Sequence, residues 1–372
     1  MPPILWDSAE GFLVRDPHGN QWIDPMPSPP GSAGNCSNAS WAWRRLGWTR
    51  PLFSAGTEAN ECALSLMRKH GSRIAPEKIG ILSIESNYHG RTLSAKAAGG
   101  PPGLVDGISR DSLHHYQIPL PGGPSSKGFD EDLAAHGIRP ESIAGIILES
   151  IPGWTTTLYP GAYIKRLMQW AASHNILVTV DEVQSGMGRT GRMFAFEHYG
   201  IVPDLITCGK GLSSSLPLSA VIAREEIMNL SAPGEMSSTF GGNPVCAAAG
   251  LACLDILEKE KLVERSAALG GELGEALDKL TARHRPYVRM HNGRGLFYSV
   301  HLQDPTSGAP LGQIGDEIVM SCVRRGVLMF LTGRGFFKIV PPLIIDRDAL
   351  FEAVGVIGEV MDELLPPSTA QA

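Results

Sequence analysis

Two short apolar runs in the middle of the chain each end on an ionisable side chain: Ile176–Val180 runs into Asp181, and Leu205–Cys208 is followed by Gly209 and Lys210. Runs of four or five residues, rich in β-branched side chains and bounded by glycine or charge, read as buried strands of a parallel sheet. Ligands of open α/β sheets bind beyond the carboxyl ends of such strands. An acid and an amine set there suit pyridoxal phosphate, whose aldehyde a lysine holds as a Schiff base and whose ring nitrogen a carboxylate keeps protonated. Taken singly, an aspartate in such a place is more often a turn cap and a lysine a solvated amine. Two charged strand ends together, with Gly209 and Gly211 letting a bulky group approach Lys210, favour the chemical use.

Further fixed positions join the two ends. Asp181-Glu182-Val183-Gln184, Gly186-x-Gly188-Arg189-Thr190-Gly191, Pro203-Asp204 and Gly209-Lys210 fall within a span of 29 residues (210 − 181). The pattern resembles the signature of the class III (omega) pyridoxal-phosphate aminotransferases. That resemblance implies an α/β chain of fold type I with a mostly parallel central sheet and a smaller α+β domain. It implies pyridoxal 5'-phosphate as cofactor, with Lys210 as Schiff-base lysine and proton carrier and Asp181 at the ring nitrogen. Transamination between a small-molecule amino donor and a keto or aldehyde acceptor follows from it. By the same resemblance Tyr88, in Tyr88-His-Gly-Arg-Thr92, stacks on one ring face, Val183 packs on the other and Gln184 bonds near the phenolic oxygen. Thr239, in Met236-Ser-Ser-Thr239-Phe-Gly-Gly-Asn-Pro244, is at the position from which the family reaches across a two-fold interface to the other subunit's phosphate, which implies a homodimer.

Leu52-Phe-Ser-Ala-Gly-Thr-Glu-Ala-Asn60 leads into helical spacing over Glu61–His70. Small residues turning into a helix present N–H groups at the positive end of its dipole, so Gly56 and Thr57 are the expected phosphate contacts. The segment is similar to the family's Ser-Gly-Thr-Glu-Ala, with Ala55 in the serine position. Elsewhere the chain departs from the family pattern. Only Pro25–Phe53 precedes this motif after the first hairpin, and the usual Gly-His-x-His-Pro is absent. Glu149-Ser-Ile-Pro-Gly153-Trp154 stands for Glu-Pro-x-Gln-Gly-Glu, and Lys338, before Ile339-Val-Pro-Pro-Leu343, stands where an arginine often clamps a substrate carboxylate. A lysine is a point charge without the planar fork. Lys338 and Trp154 are therefore the substrate-binding candidates, and an amine, an amino sugar or an ω-amino acid is expected at least as much as an α-amino acid. Racemases, aminomutases and decarboxylases share the scaffold and stay open as readings, as does a cofactor-binding homologue of impaired activity.

The elements that must position these residues follow from periodicity and turn chemistry. Gly11–Asp24 reads as a hairpin; Ile79–Ile84, Ile143–Glu149 and Ala220–Ala223 as strands; Tyr163–His174 and Val245–Glu260 as helices. Met290–His301 and Val327–Ile345 read as strands of a smaller domain closed by a helix over Leu350–Leu365. The expected division is an N-terminal segment over 1–49, a large cofactor-binding domain over 50–255 and a small domain over 256–372. A net charge of −6 gives no reason to expect nucleic acid or an anionic membrane as partner. The six cysteines have no metal-ligand spacing, and no third ligand accompanies His114 and His115, so no metal is expected. No basic leader with an apolar core opens the chain and no apolar run reaches about 18 residues, which makes a cytoplasmic enzyme the expectation.

Overall fold

The computed structural model describes residues 51–100, 107–330 and 332–365 in full, with the backbone of the short strands at 8–10, 13–15, 21–23 and 48–49. Two compact units divide the chain: Met1–Trp154, Tyr159–Gly186 and Phe196–Lys259 form one, and Thr155–Leu158, Met187–Ala195 and Glu260–Ala372 the other. In the first unit, β1 (Ser8–Glu10), β2 (Leu13–Arg15) and β3 (Gln21–Ile23) make a small antiparallel sheet in that order. The expected hairpin is β2–β3, with Val14 opposite Trp22. Its turn at 16–20, the interval 24–47 and the tail from 366 lie outside the described residues.

The main sheet comprises β4 (Trp48–Thr49), β5 (Leu52–Phe53), β6 (Gly80–Ile84), β7 (His115–Ile118), β8 (Ile143–Glu149), β9 (Leu177–Asp181), β10 (Leu205–Cys208) and β11 (Ser219–Arg224). Its order is β4-β11-β10-β9-β8-β6-β7, with β5 also on β11. Strands β6 to β10 run parallel and β11 lies antiparallel to β10, so the expected mostly parallel sheet carries an antiparallel edge. All residues of β6, β8, β9 and β10 are buried, which is why they read as unbroken apolar runs rather than alternating ones. In register, Glu149 stands beside Asp181 and Asp181 beside Thr207, one row across the carboxyl ends of three strands.

Helix α1 (Gly56–Ile74) lies on this sheet, burying Ala63, Leu64, Leu66 and Met67. It comes close enough that a Cβ added to Gly145 of β8 would stand 2.2 Å from Met67 Sδ. Its N-cap is Ala55, which has no side chain to cap with, at a cost of about 1 kcal/mol against serine. Burial of Leu64, Leu66 and Met67, at roughly 1.5–3 kcal/mol each, outweighs that cost and fixes the helix in place. Helix α2 (Gly161–Ser173) delivers the chain to β9, and α3 (Pro244–Lys259) closes the unit, packing Gly250 against Leu218.

The second unit has α4 (Leu262–Arg283), the antiparallel strands β12 (Val288–Arg294), β13 (Phe297–Leu302) and β14 (Phe336–Ile339), α5 (Gly312–Arg324) and α6 (Arg347–Leu364). Leu273, Leu277, Val300, Ile318, Phe337 and Ile357 are in its core. Among the described residues of the strand expected over Val327–Ile345, only β14 forms. Gly326, Gly333 and Gly335 take left-handed φ of +87°, +64° and +72°, and Pro341 and Pro342 follow, so a longer ladder has no backbone to run on. The Gly-x-Gly-Arg-Thr-Gly motif is structural here. Arg189 donates to the carbonyls of Leu296 and Pro341, and a Cβ on Gly295 would stand 2.5 Å from the Thr190 carbonyl carbon. Burial pushes the Arg189 guanidinium down to about 10. No helix among the described residues is long and apolar enough to cross a membrane.

Candidate active site

The centre of the site is the carboxylate of Asp181, 3% exposed at the end of β9. Its Oδ2 accepts from Asn60 Nδ2 (2.8 Å) and His89 Nδ1 (2.8 Å), and its Oδ1 from the Val183 N–H (3.0 Å). Because a carboxylate only accepts, the His89 proton facing it sits on Nδ1.

A second acid stands beside it. Glu149 is 4% exposed, its Oε2 accepting from Tyr88 N–H (2.7 Å) and its Oε1 from Gly153 N–H (2.9 Å). Burial first, and then the adjacent Asp181 charge, push its carboxyl up to about 7, against the pull of His89 and the two N–H donors. By clamping both backbones, Glu149 sets Tyr88 against Trp154, whose rings meet edge to face at 6.2 Å and 69°. A Cβ on Gly153 would stand 2.0 Å from Gln184 Oε1, which places Gln184 against the same turn.

The lysine end assembles through small residues. Lys210 follows β10 with φ of +39°, a left-handed conformation costing a non-glycine residue about 1–2 kcal/mol and concentrated at functional sites. A Cβ on Gly209 would meet Val183 Cγ1 at 3.5 Å and Gly56 Cα at 3.6 Å, and one on Gly56 would meet Val183 Cγ1 at 2.8 Å. Gly56, Val183 and the Gly209-Lys210 turn thus touch one another. Lys210 itself is exposed.

At the start of α1, Glu58 takes the N–H groups of Ser54 and Ala55, both at 2.9 Å. The next two N–H groups, of Gly56 and Thr57, have no partner among the described residues. The Thr57 hydroxyl is 2.9 Å from that of Thr92. Ser238 donates to Glu58 (3.3 Å), and its neighbour Thr239 is exposed.

These features fit pyridoxal phosphate: two N–H groups at a helix start with no partner among the described residues, a Gly56 with no room for a Cβ beside Val183, and a buried carboxylate whose Oδ1 accepts a single hydrogen bond among those residues. Val183 links Asp181, through its N–H, to Gly56 and the Gly209-Lys210 turn, through its side chain, and Tyr88, Gln184 and Trp154 gather around Glu149 and Gly153. Lys338 lies in the second unit, on β14 opposite Ser299, and is half-buried. Glu182 turns inward, accepting from Ser150, Ser185 and Phe196 N–H, and so serves the scaffold. Sequence reasoning missed Asn60, His89 and Thr207. Asn60 had a signal: a polar side chain on the apolar stripe of α1 among Ala59, Cys62 and Ala63.

The Aminotransferase class-III family model matches residues 50–361. Ornithine aminotransferase 1 of Staphylococcus aureus (strain N315) is 37% identical over 314 residues, 83% of this chain and 74% of its own. Acetylornithine aminotransferase of Gloeobacter violaceus is 33% identical over 320 residues, 85% and 75% of the two chains. Among solved structures, an ornithine aminotransferase from Toxoplasma gondii with partial occupancy of PLP at its active site superposes with a TM-score of 0.76 at 25% identity, over 98% of this chain and 92% of that one.

Proposed function

This chain belongs to the class-III aminotransferase family, and from that premise we propose that it uses pyridoxal 5'-phosphate to take the ω-amino group of an amino acid and pass it to a keto acid. The observation that carries the reading is the meeting of Gly56, Val183, Gly209-Lys210 and Asp181 at the carboxyl end of the parallel strands. Gly56 and Thr57 hold the phosphate, Asp181 the ring nitrogen, Tyr88 and Val183 the two ring faces, and Gln184 the phenolic oxygen. When bound, the group supplies an electron sink for a bond broken at the amine-bearing carbon. Lys210 Nζ takes the proton from that carbon, and the left-handed turn at 210 holds the amine for it.

The working unit is a homodimer in which Thr239 completes the partner's phosphate site. Exposure of Phe240 (71%) and Val245 (67%) beside Thr239 supports a partner there. The free thiols of Cys62, Cys208, Cys246, Cys253 and Cys322 suit the cytoplasm. An ω-amine donor is favoured because the two curated relatives are named for ornithine and acetylornithine, and because Trp154 packs edge-on to Tyr88 where the family has a glutamate.

The test is a visible absorption spectrum of the cofactor-loaded protein before and after each candidate amine, with no acceptor present. Ornithine or N-acetylornithine should bleach the band, and a keto acid should restore it. Turnover of an amino acid without any keto acid would instead mark an isomerase. For the second substrate, Lys338→Arg should raise the rate with glutamate as donor by about tenfold, one charge-assisted hydrogen bond, while Lys338→Ala should not. Equal rates in all three proteins would show that no carboxylate is gripped at 338.

A further inference from the structure

We infer that Asn60 is a positioning residue for the reaction: it occupies Asp181 Oδ2 so that Oδ1 is the oxygen left for the cofactor's ring nitrogen. The inference rests on the reading of Asp181 given above.

Asn60 is 1% exposed on the sheet-facing side of α1, where a leucine or alanine would bury without any polar cost. Three of its four hydrogen-bonding positions are filled. Nδ2 donates to the His89 carbonyl (2.7 Å) and to Asp181 Oδ2 (2.8 Å), and Oδ1 accepts from Thr207 Oγ1 (2.6 Å). The orientation of the amide follows from its partners. A carbonyl and a carboxylate only accept, so the NH2 must face them, and the Thr207 hydroxyl then has only Oδ1 to donate to. Thr207 sits on β10 in register with Asp181, so one side chain ties α1, the segment after β6 and the ends of β9 and β10.

The lone pairs of Asp181 complete the case. Among the described residues, Oδ2 is saturated by Asn60 and His89, whereas Oδ1 accepts only from the Val183 N–H. The carboxylate is thereby held at both oxygens, with one acceptor position of Oδ1 unfilled among the described residues. Without the amide, His89 alone holds Oδ2, the carboxylate can rotate about its Cβ–Cγ bond, and Thr207 loses its acceptor.

A role confined to folding would lower stability without changing how the cofactor's affinity responds to pH, which separates the two accounts. Apoprotein is titrated with pyridoxal phosphate, reading tryptophan fluorescence, and each Kd is divided by the wild-type value at the same pH. Asn60→Ala should raise the ratio about tenfold at every pH, the loss of one hydrogen bond to a charged group. In Asn60→Asp the introduced carboxyl lies against Asp181 and can donate only while it keeps a proton, so the ratio should climb at least about tenfold from about pH 6 to about pH 9. Thr207→Val leaves Asn60 in place but frees its Oδ1, and should raise the ratio about threefold with a melting temperature near wild type. Ratios of one for all three, or a flat profile for Asn60→Asp, overturn the inference. Wild-type affinity in Asp181→Ala would overturn the reading of Asp181 itself, which the Asn60 and Thr207 results alone would not.

Discussion

Lys210→Ala should abolish transamination, with a loss of about 10⁴-fold or more, the upper range for a positioned general base, and should leave pyridoxal phosphate removable by dialysis after borohydride treatment. In the wild-type protein the same treatment should fix the pyridoxal group to Lys210, which peptide mass mapping would locate. Attachment to another lysine, in either protein, would overturn the assignment. The fold should be indifferent to the change. Alanine at 210 meets the same left-handed φ of +39° as lysine does, and the lysine is exposed, so no packing is lost. Glycine, which adopts that φ freely, should melt higher than alanine by an amount corresponding to about 1 kcal/mol. A melting temperature for the Lys210→Ala apoprotein well below that of the wild-type apoprotein would mean that the lysine supports the turn.

The strands that carry Asp181 and Lys210 were legible because parallel strands buried on both faces leave unbroken apolar runs, and such runs have visible ends. Leu205–Cys208 and Ile143–Glu149 match the observed strands residue for residue, and Gly56 and Thr57 do open a helix. The second unit was read less well. Leu269, Leu273, Leu277 and Leu280 mark α4 at helical spacing, but Gly270, Gly271 and Gly274 lie among them and weaken a helix signal by up to about 1 kcal/mol each. Their use appears only in three dimensions: a Cβ on Gly270 would stand 2.3 Å from Gly295. The hydrogen bonds around Asp181 were hidden for a different reason. Asn60, His89, Glu149 and Thr207 are scattered over 148 positions (207 − 60 + 1) and are joined only by the register of β8, β9 and β10 and the seat of α1. Spacing along a chain carries no trace of such a join.

Asp181→Asn should lower turnover by roughly 10³-fold, the upper range for removing one preorganised charge from a water-excluded site. The introduced amide keeps the volume but cannot accept on both ends. With its oxygen toward Asn60 and His89, its NH2 group faces the Val183 N–H, and an N–H then goes unsatisfied. The same variant makes a prediction that needs no cofactor, through Glu149. Because burial and the Asp181 charge raise that carboxyl from 4.5 to about 7 in the folded chain, its proton is bound more tightly folded than unfolded. The stability it contributes is therefore full below about pH 4.5 and is lost as pH rises to about 7, a fall of a few kcal/mol. Removing the Asp181 charge leaves burial as the main cause, so the fall should shrink and finish at lower pH. Urea midpoints of the apoproteins across about pH 4.5 to 8 would measure it. Identical pH slopes for wild type and Asp181→Asn would mean that the two acids do not interact.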